Sequence, residues 1–187
     1  MKKYLALLML MAMAAAPAAL AEDSATRLPY DVTFEMDGPA IVEAIGSDAA
    51  FSPYDEESDP ETGSVYLTNA PLGLGDLTAE YMALDVQRVN SRREPKLSLI
   101  SAGLSVEGGS IAAFRKALAA LTEIYGQPEA DPFDESGVEM YVEYGMLDAS
   151  WVMEDVRISL SLQRMYEEVL EVSFSPRICF DASDLDA

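Results

Sequence analysis

The chain contains no histidine, and this excludes several kinds of catalytic chemistry together. Ser-His-Asp and Cys-His nucleophilic catalysis, a histidine general base and histidine-ligated zinc all require an imidazole ring. After the N-terminal pair the remaining lysines are Lys96 and Lys116, and no serine lies three residues before either one. A Ser-x-x-Lys nucleophile is therefore also excluded, and we assign no catalytic residue from the sequence.

Carboxylates are the abundant reactive groups, with 33 Asp and Glu residues in the chain. A pair of them close together in a cleft with aromatic sugar platforms would suit a glycosidase, and composition leaves that reading open. Asp55, Glu57 and Asp59 alternate as at the start of an EF-hand loop, but Pro60 stands where such a loop needs glycine and Tyr66 where it needs its bidentate acid. We predict solvated acidic loops, no metal ligand and no cofactor.

A basic cluster interrupts this acidic chain at a predicted hairpin turn. It consists of Arg88, Arg92, Arg93 and Lys96, which fall within nine residues. One interpretation is that these cations pair with the protein's own acidic loops. The other is that they form a contact site for an anionic partner. These four residues are the candidate binding site.

The N-terminus has the pattern of a secretory signal peptide. Lys2 and Lys3 precede an apolar run over residues 5–16, and Ala19-Leu20-Ala21 is the small-x-small pattern that a signal peptidase accepts. The apolar run is shorter than the roughly 20 residues of a membrane-spanning helix. No cysteine is near the cleavage point, so no lipid anchor is expected there. We predict a signal peptide over 1–21 and a secreted or periplasmic protein without membrane insertion after cleavage.

Removal of residues 1–21 would leave 33 acidic residues against 10 basic ones, a formal charge of −23. This charge argues against nucleic acid and anionic lipid as partners, because both need a basic surface. Cys179 is the one cysteine, so no intrachain disulfide can form. The domain must therefore be held together by packing.

Apolar periodicity places the elements that would position these groups. A short helix should start at Gly38-Pro39 and end at Gly46, followed by an acidic loop from Ser47 to Gly63. Strands are predicted at 65–67, 77–86 and 97–106. A longer helix should run from Ser110 to Tyr125 and cover the sheet with Phe114, Leu118 and Leu121.

After a second acidic loop over 129–137, further strands are predicted at 140–144, 149–153, 156–162 and 170–174. Trp151 is expected in the core or an interface. The fold class is therefore α+β, an antiparallel sheet covered by one long and one short helix. We divide the chain into a polar leader (22–37), a single domain (38–177) and an acidic tail (178–187).

The two halves of the domain, 38–106 and 110–175, share an order of helix, acidic loop and about three strands. Val42–Gly46 also aligns with Thr122–Gly126, which is consistent with a duplication. Over residues 38–175 this order resembles the tandem modules of secreted β-lactamase-inhibitor-like proteins and of the outer-membrane assembly lipoprotein family. Such modules pack a helical segment on an antiparallel sheet and act by binding proteins. The paired and lipid-attachment cysteines of those families are missing here, and no functional residue is carried over.

The function expected from the sequence is that of an exported, acidic, non-enzymatic binding or interaction module of the cell envelope or secretome. Its partner would be a protein or an envelope component. The alternative is a carboxylate-dependent hydrolase acting on envelope glycans. A buried pair of acids beside a cleft would favour the hydrolase, and a shallow surface with solvated acids would favour the binding module.

Overall fold

The computed structural model describes residues 26–46, 49–88, 93–164 and 167–177. The predicted signal peptide (1–21), the acidic tail (178–187), Cys179 and Arg92 lie outside these residues. Within them, no helix is long and apolar enough to cross a membrane.

Seven antiparallel strands form one sheet in the order β1-β2-β3-β4-β7-β6-β5. The strands are β1 (Phe51–Asp55), β2 (Asp59–Pro71), β3 (Thr78–Gln87), β4 (Lys96–Leu104), β5 (Met146–Val152), β6 (Val156–Arg164) and β7 (Glu168–Pro176). Consecutive strands pair within β1–β4 and within β5–β7, and β4 joins the two groups by pairing with β7. The mixed α+β class predicted from the sequence is confirmed.

Three α-helices of the described residues accompany this sheet: α1 (Gly38–Ile45), α2 (Ser110–Tyr125) and α3 (Glu135–Tyr144). The Asp37 side chain caps α1 by accepting a hydrogen bond from the backbone N–H of Ala40 at 2.9 Å, which satisfies one of the free donors of the first turn. Gly126, at a φ of 84°, ends α2 as expected. The sequence predicted one long and one short helix, whereas the described residues form a second short helix, α3, as well.

One face of the sheet and the helices enclose the core. On α2, Phe114 and Leu121 are fully buried, whereas Leu118 is only half-buried. Trp151 is buried on β5, and its indole N–H donates to the carbonyl of Gly126 at 2.8 Å. This bond satisfies the one polar atom of the indole ring. The loop between β2 and β3 also enters the core, through the buried side chains of Leu72, Leu74 and Leu77.

The strand predicted over 140–144 is wrong, because these residues belong to α3. The Asp134 side chain caps α3 by accepting from the N–H of Gly137, and Gly145 ends it in the left-handed region at a φ of 70°. The helix has no fully buried residue. Because the helix does not face the core, its sequence needs no 3.6-residue apolar period, and Met140, Val142 and Tyr144 instead alternate with the two-residue period that predicts a strand.

The acidic loop predicted over 47–63 is also wrong, because it contains β1 and the start of β2. The two strands form a hairpin whose turn is organised by Asp55, which accepts hydrogen bonds from the backbone N–H groups of Glu57 and Ser58 at 3.0 Å each. Such turns are typical of aspartate. The hairpin lies at the sheet edge and is largely exposed, so it shows no apolar alternation in sequence.

Residues 26–37, in the segment predicted as a polar leader, pack against the domain. Leu28 and Val32 are buried in the core. The hydroxyl of Tyr125 on α2 donates to the carbonyl of Arg27 at 2.5 Å. The backbone carbonyl of Met36 accepts from the N–H of Leu97 on β4 at 2.8 Å.

Candidate functional site

The described surface has two clefts near charged residues. One, of about 470 Å³, lies beside the first turns of α2 and includes Asp76, Glu107 and Lys116 in its lining. The other, of about 360 Å³, lies beside the start of α1. Its lining includes the acids Glu35, Asp37, Glu61 and Glu94, with Lys96 among them.

The carboxylates of both clefts are solvated. Among the residues that the structure describes, Ser110 is the only buried polar residue, so no described carboxylate is buried. The same part of the chain holds no group of three or more histidine, cysteine, aspartate or glutamate side chains placed to bind a metal ion. Neither cleft contains the desolvated acid pair that general acid–base hydrolysis would use.

Two members of the basic cluster form ion pairs within the protein. Arg88 contacts Asp59 at 3.1 Å and also pairs with Glu61, both at the start of β2. The hydrogen bond from this guanidinium lowers the pKa of Asp59 below its usual value and raises that of Arg88. Lys96 pairs with Glu35.

Arg88 also donates to the backbone carbonyl of Arg93, a third member of the basic cluster, at 2.9 Å, and Arg92 lies outside the described residues. The contact-site interpretation of the cluster stays a prediction. The ion pairs of Arg88 and Lys96 match the geometry expected of the alternative, pairing with the protein's own acids.

The face of the sheet opposite the core, here called the open face, carries side chains aligned in two rows across β2 to β5. These side chains alternate along each strand with the buried residues of the core. In order across the sheet, the first row is Tyr66, Ala83, Ser101, Ser173, Ser159 and Ser150, and the second row is Thr68, Tyr81, Gly103, Glu171, Ser161 and Asp148.

The first row places four serine hydroxyls on four adjacent strands. Neighbouring strands in a sheet are about 4.8 Å apart, so the hydroxyls form a regular polar ladder. All four serines are half-buried, none being fully covered. The two rows contain the carboxylates of Glu171 and Asp148 and no basic residue. The next row of the same face adds Asp85 on β3 and Arg157 on β6. The open face is therefore shallow and hydroxyl-rich, with more carboxylates than cations.

Three tyrosines gather at one end of the open face. The rings of Tyr66 and Tyr81 are nearly parallel, with 6° between their planes and 6.4 Å between their centroids. The ring of Tyr81 lies over Gly103, where an added Cβ would be 2.1 Å from the ring. Tyr54 reaches across from β1 to donate its hydroxyl to Asp85 on β3.

Glu171 lies beside the second of these rings, that of Tyr81, and we call Tyr66, Tyr81 and Glu171 the tyrosine–carboxylate cluster. Tyr54 and Asp85 form a separate pair, because Asp85 lies four residues from Tyr81 along β3 and two strands from Glu171. The hydroxyl of Tyr81 donates to Glu171 at 3.4 Å, across β4 to β7. Partial burial raises the pKa of Tyr81, and the negative charge of Glu171 adds to that effect. Burial and then the bond to Asp85 raise the pKa of Tyr54 to about 12. Both phenols are therefore protonated donors at neutral pH.

A second exposed patch lies on α3. Four of its ten residues are large and apolar yet exposed, namely Val138, Met140, Val142 and Tyr144. Glu135, Glu139 and Glu143 follow one another at four-residue spacing on the same helix, so one stripe of α3 is acidic. Nothing in the described part of the chain packs over these apolar side chains enough to bury them.

Sequence reasoning missed the tyrosine–carboxylate cluster. The alternation of Arg157, Ser159 and Ser161 with buried residues does show that β6 has a polar face. It does not show which residues of other strands lie beside them, because register depends on pairing between distant segments. The partners Tyr81 and Glu171 are 90 positions apart.

Comparisons with protein-family models, with curated proteins and with solved structures found no match for this chain.

Proposed function

We propose that this protein is an exported, non-enzymatic binding module of the cell envelope or secretome, and that it binds a protein partner on the open face of its sheet. The observation that carries the proposal is the pair of aligned rows on that face. In antibody paratopes, tyrosine supplies large contact area and serine and glycine supply adaptable hydrogen bonding. These three residue types make up five of the six positions in the first row and three of the six in the second.

The size of the open face is compatible with a specific interface. Six strands at a spacing of about 4.8 Å span roughly 24 Å. A standard interface covers about 800 Å² on each partner. The solvated state of every described carboxylate supports a binding role over the alternative of a carboxylate-dependent glycan hydrolase, for which no specific geometry is present in the described residues.

The test is a substitution that enlarges the open face without changing its charge. Ser159→Gln with Ser173→Gln adds two longer polar side chains in the middle of the ladder, and Ser136→Gln on exposed α3 is the matched control. The mature protein should capture and crosslink a partner from the native envelope or secreted fraction. The double variant should lose at least tenfold in affinity for that partner, and the control should not. Equal capture by both would reject the open face as the binding surface.

We infer further that the domain consists of two duplicated halves, as the shared element order suggested. The sheet order supports this, because β2-β3-β4 and β5-β6-β7 meet in an antiparallel pair of last strands, β4 with β7. A two-fold axis normal to the sheet would relate such halves. Expression of residues 22–106 and 107–177 as separate chains tests the inference: two autonomous units should reassemble into a folded domain, and persistent disorder of both on mixing would contradict it.

A further inference from the structure

We propose that the tyrosine–carboxylate cluster binds an arginine side chain of a protein partner. The inference rests on the proposed function and assigns the chemistry that one end of the open face would recognise. Its geometric basis is the pair of parallel rings of Tyr66 and Tyr81 with the carboxylate of Glu171 at the hydroxyl of Tyr81, with no basic residue in either row.

Tyr66 presents an aromatic surface to solvent. Its side chain is 58% exposed and its ring runs parallel to that of Tyr81. The face of an aromatic ring carries partial negative charge and attracts cations, arginine more often than lysine. A planar guanidinium can also stack on a ring in a way that an ammonium group cannot.

The same contact occurs twice within this protein. The guanidinium of Arg115 lies 3.7 Å from the ring centroid of Phe133. That of Arg164 lies 5.2 Å from the ring centroid of Tyr141. Both distances are within the roughly 6 Å over which the attraction is effective. Tyr66 offers an equivalent ring face to solvent.

The carboxylate of Glu171 supplies the hydrogen-bond acceptor beside these rings. It accepts the hydroxyl of Tyr81 at 3.4 Å. A carboxylate has about four lone-pair sites, so Glu171 retains acceptor capacity for a guanidinium. Charge-assisted bonds of this type are shorter and about twice as strong as neutral ones. The bond from Tyr81 also orients the carboxylate before a ligand arrives.

The net charge of the chain adds a long-range attraction. The chain has a formal charge of −21, and such a field draws cationic partners and speeds their association. It also opposes pairing of this face with that of a second copy, since both would present Glu171 and Asp148. A sugar ring can also stack on an aromatic surface and donate its hydroxyls to a carboxylate, but a neutral glycan would gain nothing from this field.

The probes for the test are a short glycine–serine peptide with two arginines, the same peptide with neutral citrulline in their place, and a chito-oligosaccharide. Calorimetry should detect the arginine peptide. Citrulline should weaken binding at least tenfold, and the oligosaccharide should not bind. Comparable affinity for the arginine and citrulline peptides, or preference for the sugar, would overturn the proposal.

Matched variants localise the binding. Tyr66→Ala should weaken binding of the arginine peptide about threefold to thirtyfold, whereas Tyr144→Ala, at a tyrosine that is 55% exposed on α3, should not. Glu171→Gln should weaken it more than Glu139→Gln, which removes the same charge elsewhere. Equal effects within each pair would mean that the acidic protein attracts the peptide without a site, and the proposal would fail.

This outcome is separable from that of the proposed function. If the Ser159→Gln, Ser173→Gln variant loses the native partner while Tyr66→Ala and Glu171→Gln leave peptide binding unchanged, the open face binds its partner without an arginine site. If Tyr66→Ala and Glu171→Gln weaken binding of the arginine peptide while the serine substitutions leave the affinity for the native partner unchanged, the cluster binds arginine and the open face as a whole is not the partner surface.

Discussion

Gly103 determines where the ring of Tyr81 lies, and through it the shape of the tyrosine–carboxylate cluster. The ring occupies the space above this glycine, where a Cβ would be only 2.1 Å away. No other residue leaves that space free, since all others have a Cβ. The hydroxyl of Tyr81 can therefore cross β4 and reach Glu171 on β7.

We expect Gly103→Ala to displace the ring of Tyr81 and to lower the free energy of unfolding by about 1–3 kcal/mol, the usual cost of overpacking. The same change made in a Tyr81→Ala background should cost much less, because the clashing ring is gone. Urea denaturation of the four proteins in this double-mutant cycle measures the coupling. An identical cost in both backgrounds would show that the ring does not rest on Gly103.

Tyr125 is a second single residue with a measurable signature. Burial raises its pKa from 10.0 to about 12, against a smaller opposing effect of Arg27. The folded state thus favours the neutral phenol. Its contribution to stability is complete below pH 10.0 and is lost as the pH rises through about 12.

We therefore expect the free energy of unfolding to fall over that alkaline range by a smaller amount in Tyr125→Phe than in the native protein. Phenolate absorbance should show one late-titrating tyrosine fewer in the variant. Tyr66→Phe is the control at an exposed site. A titration curve unchanged by Tyr125→Phe would contradict the burial of its hydroxyl.

At the scale of elements, α2 attaches the helical layer to the sheet through a narrow apolar stripe. Leu121 is fully buried, while Leu118, one turn earlier, is half-buried. Leu121→Ala should lower the free energy of unfolding by roughly 2–5 kcal/mol, from lost apolar contact and a residual cavity. Leu118→Ala should cost clearly less. Equal denaturation midpoints for the two variants would show that the helix is rotated about its axis.

The helix α3 depends on its caps more than on its packing, since none of its residues is fully buried. Asp134→Ala removes the side chain that accepts the N–H of Gly137 at 2.9 Å. We expect a loss of about 1 kcal/mol in unfolding free energy and a fall in helical circular dichroism. Glu139→Ala on the same helix should have little effect on either. An unchanged spectrum in Asp134→Ala would show that the cap does not hold α3.

At the scale of the whole molecule, the prediction that remains is export. Protein made in an exporting host should be cleaved after Ala21, so that its intact mass corresponds to a chain starting at Glu22 with a formal charge of −23. Retention of the full chain in the membrane fraction would contradict the export proposal. Replacement of Ala21 by a bulky residue such as phenylalanine should block cleavage, because the peptidase pocket accepts only small side chains there.

The sequence by itself determined the α+β class, the positions of α1 and α2, and most strands. In Val156, Ile158, Leu160 and Leu162 the period of two follows from one covered face, and all four are buried. Where burial was slight the assignments failed. The apolar residues Val138, Met140, Val142 and Tyr144 of α3 recur with the two-residue period of a strand although they are exposed, and the exposed β1–β2 hairpin shows no apolar alternation.

Only the tertiary structure determined which residues are neighbours on the open face. Residues such as Ser101, Ser173 and Ser159 become neighbours through strand register, which depends on pairings between segments far apart in the chain. The contact of Tyr81 with Glu171 depends on the same pairings and on the missing side chain of Gly103. Local sequence patterns indicate which face of the sheet a residue occupies. They do not indicate its neighbours on other strands, because the packing of the whole sheet determines which strands pair and in what register.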